Sequence, residues 1–268
     1  MSRIIVMTSG KGGVGKTTCT ANLGMALAKA GQRVAVVDAD FGLRNLDLLL
    51  GLENRIVYTA LDVLAGECRL DQALVKDKRQ PNLALLPAAQ NRSKESIKPE
   101  QMKRLIKALT KVYNFILIDS PAGIEMGFRN SIAAAREAII VTTPEISAVR
   151  DADRVIGLLE ANDIKAVRLV INRLRPAMVA AEQMMSVKDV QGILSIPLLG
   201  VVPDDEQVIV STNKGEPLVL EEKLSKAGIA FMNVSQRLQG EKVPLMDLSI
   251  PQENFFTRLK KLFGGSPL

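Results

Sequence analysis

Ile4-Ile5-Val6-Met7-Thr8, then Ser9, then Gly10-Lys11-Gly12-Gly13-Val14-Gly15-Lys16-Thr17 decide how this chain is read. The first five residues are an apolar run of strand length, and a helical pattern opens at Lys16 and runs to Ala30, with Gly31 as its stop. Between them stands G-x-x-x-x-G-K-[ST] in the setting of a phosphate-binding loop, after a strand and before a helix. Glycines let successive backbone N–H groups converge on phosphate oxygens, and the helix N-terminus adds positive potential. Gly10, Lys11, Gly12, Gly13, Val14, Gly15, Lys16, Thr17 and Thr18 are therefore expected to cradle a nucleotide. Lys16 neutralises the β- and γ-phosphates and the Thr17 hydroxyl ligates Mg²⁺, so ATP and Mg²⁺ are the expected cofactors.

Further strand-length runs follow: Arg33 to Val37, Asn82 to Leu86, Phe115 to Ile118, Ala138 to Thr142, Val167 to Ile171 and Leu198 to Val202. Their apolar character is continuous rather than alternating, as when helices cover both faces of a sheet. Helical patterns of crossover length separate them, as at Pro99 to Val112 and Ser147 to Ala161, and a helix-like stretch, Glu221 to Leu238, follows the last run. This βαβ rhythm predicts an α/β fold, a doubly wound, mostly parallel sheet with helices on both faces. Residues 1–239 read as one ATPase domain, 240–254 as a Pro- and Gly-containing linker, and 255–265 as a separate amphipathic helix.

Two of the strands deliver carboxylates to the edge where ligands bind in such sheets. Val36-Val37-Asp38-Ala39-Asp40 puts Asp38 and Asp40 on one side by alternation, one to hold Mg²⁺-bound water and one to orient the attacking water. Turn-making aspartates are the plain alternative. Phe115-Ile116-Leu117-Ile118-Asp119 reads as a Walker B strand, with Asp119 reaching Mg²⁺ through water or through Thr17 and Gly123 giving mobility after it.

Composition narrows the chemistry. The 268 residues are 47% hydrophobic and 24% charged, ordinary for a globular protein. There is no His, so any general base is a carboxylate, a Lys or a Tyr, and a His-based triad is excluded. Cys19 and Cys68 form no C-x-x-C and read as two reduced thiols. No stretch has the length and apolarity of a secretory signal or a spanning helix. Of the net charge of +6, half comes from Arg258, Lys260 and Lys261 in the last fifteen residues.

Those cations sit in Phe255-Phe256-Thr257-Arg258-Leu259-Lys260-Lys261-Leu262-Phe263. At 100° per residue the apolar side chains Phe255, Phe256, Leu259, Leu262 and Phe263 share an arc of roughly 120°, opposite Arg258, Lys260 and Lys261. A basic amphipathic helix rich in Phe, set behind a Pro-containing linker, reads as an interfacial anchor for an anionic membrane surface; a terminal helix packed on the domain is the alternative.

Lys11 is superfluous to a P-loop that already has Lys16. Lys-Gly-Gly-Val-Gly-Lys-Thr-Thr resembles the deviant Walker A motif of the MinD/ParA ATPases. Gly42-Leu43-Arg44-Asn45-Leu46-Asp47, Asp119-Ser120-Pro121-Ala122-Gly123-Ile124-Glu125, Thr143-Pro144-Glu145, Val149-Arg150-Asp151 and the tail extend the resemblance to the septum-site-determining branch of that family. It implies that Lys11 reaches across an ATP-bound homodimer to the partner's nucleotide, as an arginine finger does, and that Asp40 activates water. It implies Asn172 by side chain, and Pro203 and Asp204 by backbone, as the adenine pocket. It also implies membrane attachment on the cytoplasmic side, recruitment of the division inhibitor MinC, and release when MinE stimulates hydrolysis.

Other readings of the scaffold fit less well. A ParA-type DNA-partitioning ATPase shares Lys11 but requires a basic DNA surface, whereas the basicity here concentrates on an apolar-faced tail, so no nucleic acid is expected. An iron protein of nitrogenase type requires cluster cysteines at a dimer interface. A small-molecule ligase leaves the tail without a purpose.

Overall fold

The structure, a computed structural model, describes residues 2–41, 44–89 and 97–248. Its eight strands are β1 (Arg3–Thr8), β2 (Val34–Asp38), β3 (Val75–Lys76), β4 (Leu83–Leu86), β5 (Phe115–Asp119), β6 (Glu137–Thr142), β7 (Ala166–Leu174) and β8 (Leu198–Pro203). They form one sheet in the order β3-β4-β2-β5-β1-β6-β7-β8. Every pairing is parallel except that of β3 with β4. The expected doubly wound sheet is thus present; the two-residue edge strand β3 is the addition, too short to leave a periodic signal.

Period-two alternation divides each central strand between two cores. Ile4, Val6, Val37, Ile116 and Ile118 face one layer, covered by the helices Pro99–Leu109, Met126–Ile132, Ile146–Ala161 and Val187–Leu194. Ile5, Met7, Val34, Val36 and Leu117 face the other, under the helices Lys16–Lys29 and Lys226–Leu238. Both faces being buried explains why the strands read as unbroken apolar runs.

The last helix begins at Lys226 rather than Glu221, because Ser225 takes the N-cap and its hydroxyl accepts from Gly228 N. Residues ahead of it form a short 3-10 turn at Leu218–Leu220 instead. The described part of the expected linker, 240–248, has no helix or strand, yet it is fastened to the domain. Arg237 donates to the carbonyls of Leu199, Val243 and Pro244, each at 2.8 Å. Met246 packs on one core and Leu248 on the other, so the segment crosses the open edge of β8. The tail helix, 255–265, lies outside the described residues.

Close approach of the helix Lys226–Leu238 to the sheet depends on Gly200: a Cβ there would stand 2.3 Å from Val234 Cγ2. Val234 is β-branched and cannot swing aside cheaply. Gly200→Ala is therefore expected to lower stability by about 1–3 kcal/mol through overpacking, read as a fall in the urea midpoint with an unchanged slope.

Candidate nucleotide site

All the expected phosphate-binding residues follow the carboxyl end of central strand β1. Gly15 forms the N-cap of the helix Lys16–Lys29 in a left-handed conformation (φ 90°), with no side chain capping the first turn. Gly13 is also left-handed (φ 78°). These amides therefore keep free hydrogens at the positive end of a 14-residue helix. Two neighbours hold the loop's path. A Cβ on Gly10 would stand 2.3 Å from the backbone carbonyl of Asp151, and one on Gly15 would stand 2.3 Å from Asn172 Nδ2.

Lys16 is buried, and its Nζ lies 3.3 Å from Asp119 Oδ1. The same oxygen accepts from the Thr20 hydroxyl at 2.9 Å. Thr20 escaped the sequence reading, although one helical turn separates it from Lys16, whose carbonyl it also bonds. Parallel register places Asp38 of β2 directly beside Asp119 of β5. Burial, and then the neighbouring Asp119 charge, push the Asp38 carboxyl up to about 7, against hydrogen bonds from the backbone N–H groups of Asp40 and Leu46.

Asp40 is placed differently from the alternation argument. Strand β2 ends at Asp38, so Asp40 stands in the turn beyond it, half-buried, tied to Asp38 through its amide. The next two residues, Gly42 and Leu43, lie outside the described residues. Among the described residues no three carboxylate or thiol side chains converge as a ready-made metal cage. A Mg²⁺ held mostly by water and phosphate oxygens does not need one. The donor set fits such an ion with its nucleotide: two buried carboxyls lie side by side, the Lys16 ammonium stands by Asp119 alone, and a bound cation would favour the ionised form of Asp38.

Thr17 and Thr18 are half-buried at the start of the helix. Beside Thr18 and Gly15 opens a cavity of about 420 Å³ that also takes in Asn172, Pro203 and Asp204, so the expected adenine residues are brought together next to the phosphate loop. Asn172 donates to Val14 O at 2.8 Å, which ties the cavity wall to the loop. A register shift in β7 after Ile171 and a left-handed Arg173 (φ 57°) free this end of the strand from regular pairing. Phe231 and Ile209 add apolar lining, and Arg175 bonds Asp204 at 2.6 Å; no local pattern in the sequence marks these three.

Lys11 does not line this cavity. Its Nζ donates to Ser147 Oγ at 3.0 Å and reaches Glu145 at 3.4 Å, with the side chain 42% exposed. Cys19, by contrast, is sealed in the core, where burial and the Asp119 charge push its thiol up to about 12, leaving it a packing residue.

Comparison with known proteins agrees with this geometry. Residues 5–218 match the family described as CobQ/CobB/MinD/ParA nucleotide binding domain. Over 266 residues the chain is 66% identical to a putative septum site-determining protein MinD of Guillardia theta, covering 99% of both chains. It is 64% identical to septum site-determining protein MinD of Synechocystis, covering 99% of this chain and 100% of that one. Among solved structures, the MinC:MinD cell division protein complex of Aquifex aeolicus superposes with a TM-score of 0.86 at 48% identity, over 91% of this chain and 99% of that chain. MinD of Pyrococcus horikoshii, complexed with Mg-ADP, gives 0.81 at 34% identity, over 91% of this chain and 100% of that chain. A P-loop whose lysine, carboxylates and base cavity meet at one sheet edge, with these similarities along nearly its full length, belongs to the MinD branch of the CobQ/CobB/MinD/ParA family of nucleotide-binding ATPases.

Proposed function

We propose that this chain is an ATP-driven membrane switch that places the division septum, dimerising with ATP, attaching to the inner face of the cell membrane, recruiting a MinC-type inhibitor and detaching on hydrolysis. The observation that carries the reading is the joint presence of the phosphate loop with its second lysine and a basic amphipathic tail. The septum-site-determining relatives and the MinC:MinD complex support the cellular role. An activator of MinE type would complete the cycle.

In this mechanism the open amides from Gly12 to Thr18 and the Lys16 ammonium hold the phosphates, while Asn172, Pro203 and Asp204 flank the base. Thr17, Asp38 and Asp119 are the residues that would hold Mg²⁺, which would supply neutralisation of the phosphate charge. Asp40 orients water for in-line attack on the γ-phosphorus, the bond to the ADP oxygen breaks, and the proton passes to a carboxylate because the chain has no His. The Lys11 contacts to Glu145 and Ser147 are exposed and weak, so leaving them for a partner's nucleotide costs little.

Attachment follows from dimerisation. Burying a Phe or Leu fully contributes roughly 1.5–3 kcal/mol, but an interfacial helix buries one face only and must first be ordered. One copy binds weakly; two in a dimer gain by roughly 10² to 10⁴ through effective concentration.

Lys16→Ala is expected to abolish binding of fluorescent ATP, whereas Lys11→Ala keeps binding and loses the ATP-dependent dimer in light scattering; an intact dimer would reduce Lys11 to a solvated side chain. Asp40→Ala should bind ATP and dimerise, with turnover slowed about 10² to 10⁴-fold, checked by phosphate release. Truncation after Glu253, or Leu259→Glu, should spare ATP binding while abolishing sedimentation with anionic liposomes. Wild type should sediment with ATP far better than with ADP, and equal sedimentation would refute the coupling of nucleotide to membrane.

A further inference from the structure

Downstream of Asp40 the backbone is strained at Arg44, which has a left-handed conformation (φ 40°). That conformation crowds a Cβ and is uncommon outside glycine and asparagine. Neither residue stands here, so the surroundings must hold Arg44 in place.

What stands against it is Asp47. Arg44 Nε lies 2.7 Å from Asp47 Oδ2, with the arginine side chain 12% exposed and the aspartate 1%. A carboxylate so far removed from water requires a cation, and among the described residues Arg44 is the one within ion-pair distance. Asp47 itself is seated on a firm base. It belongs to the helix Leu46–Leu50, whose Leu46 and Leu50 are fully buried in the core shared with the helix Lys16–Lys29. Gly51 ends that helix so close to Gly215 that a Cβ on it would stand 2.7 Å from the Gly215 carbonyl oxygen. Arg79 donates to the carbonyls of both Leu50 and Gly215 and ties the two segments together.

From this base the pair reaches the carboxylates of the nucleotide site. Arg44 N donates to the Asp40 carbonyl at 3.3 Å, and Leu46 N donates to Asp38 Oδ2 at 3.4 Å. The Asp40 amide meanwhile donates to Asp38 Oδ1 at 2.9 Å. Arg44 sits between the first two of these bonds, so its return to an ordinary backbone conformation would redirect the chain and break one or the other.

We propose that Asp47 is a positioning residue for ATP hydrolysis: through its ion pair it holds Arg44 in the left-handed conformation that fixes the backbone of Asp40 beside Asp38. The inference deepens the water-orienting role proposed for Asp40 and rests on it. Asp47 acts only through Arg44, by placing Asp40 in advance and leaving less to be ordered at the reacting centre.

The test uses the full chain with ATP and Mg²⁺ and compares Asp47→Asn, Arg44→Gly, the double variant carrying both changes, and Asp40→Ala. Asparagine keeps the shape of Asp47 and removes its charge. The released guanidinium lies near the surface, so this variant should loosen the stretch without unfolding the domain, checked by the urea midpoint. Its ATP affinity and ATP-dependent dimer should stay within about twofold of wild type while turnover falls roughly 10- to 100-fold, a loss in kcat and not in KM. Glycine at 44 accepts a left-handed backbone without a pair and keeps the amide that reaches Asp40, but alone it strands Asp47 without a cation. The double variant has neither the strain nor the stranded charge, so it should turn over faster than Asp47→Asn. Should Asp47→Asn fail to fold, the double variant is compared with Arg44→Gly and should again be the faster, equal rates overturning the proposal. Wild-type turnover in Asp47→Asn overturns it, as does a loss carried wholly by ATP affinity or dimerisation, or a double variant no faster than Asp47→Asn. Wild-type turnover in Asp40→Ala overturns the role of Asp40 and this inference with it; a slow Asp40→Ala beside an unimpaired Asp47→Asn overturns this inference alone.

Discussion

Two carboxylates and one ammonium, nearly stripped of water, hold the functional end of this molecule together. Asp38 and Asp119 sit side by side in adjacent parallel strands, and Lys16 is the cation close to Asp119. Burying charge is tolerated only when it is paired and hydrogen-bonded, which is why Thr20 adds its hydroxyl to Asp119 and two backbone amides cap Asp38. The cluster joins the phosphate loop to two strand ends, the one followed by Asp40 after β2 and the one followed by Gly123 after β5. A change in charge at this point therefore acts on all three at once.

The loop on the other side of Lys16 is fixed by backbone proximity instead. Gly10 lies against the Asp151 carbonyl and Gly15 against Asn172, so the loop is seated between the helix Ile146–Ala161 and the end of β7. Asn172 bonds the loop while lining the base cavity, which couples the two parts of a nucleotide site through one side chain. Lys11 lies outside both arrangements, held by weak contacts to two exposed partners.

Opposite ends of the sheet carry different sets of side chains. The phosphate loop, the start of the helix Lys16–Lys29 and the carboxylates gather where strands end, while the guanidiniums around Glu137 and the end of the helix Lys226–Leu238 gather where strands begin. A parallel sheet makes such a division possible because all but one of its strands point the same way.

Sequence by itself determined the sheet, because two-sided burial forces unbroken apolar runs, and it determined the phosphate loop, because a strand, spaced glycines and a helix start are local features. Even the membership of Asn172, Pro203 and Asp204 in one pocket was legible through family resemblance. Tertiary structure alone decided what depends on contacts between distant segments. Thr20 on Asp119, Glu145 and Ser147 under Lys11, Arg175 on Asp204 and Arg3 on Glu137 join residues far apart in the chain, with no periodicity to announce them. The placing of Asp40 in a turn, and the fastening of 240–248 by Arg237, were likewise beyond the sequence, since a strand's last residue and a side chain's carbonyl partners are set by the neighbours the fold supplies.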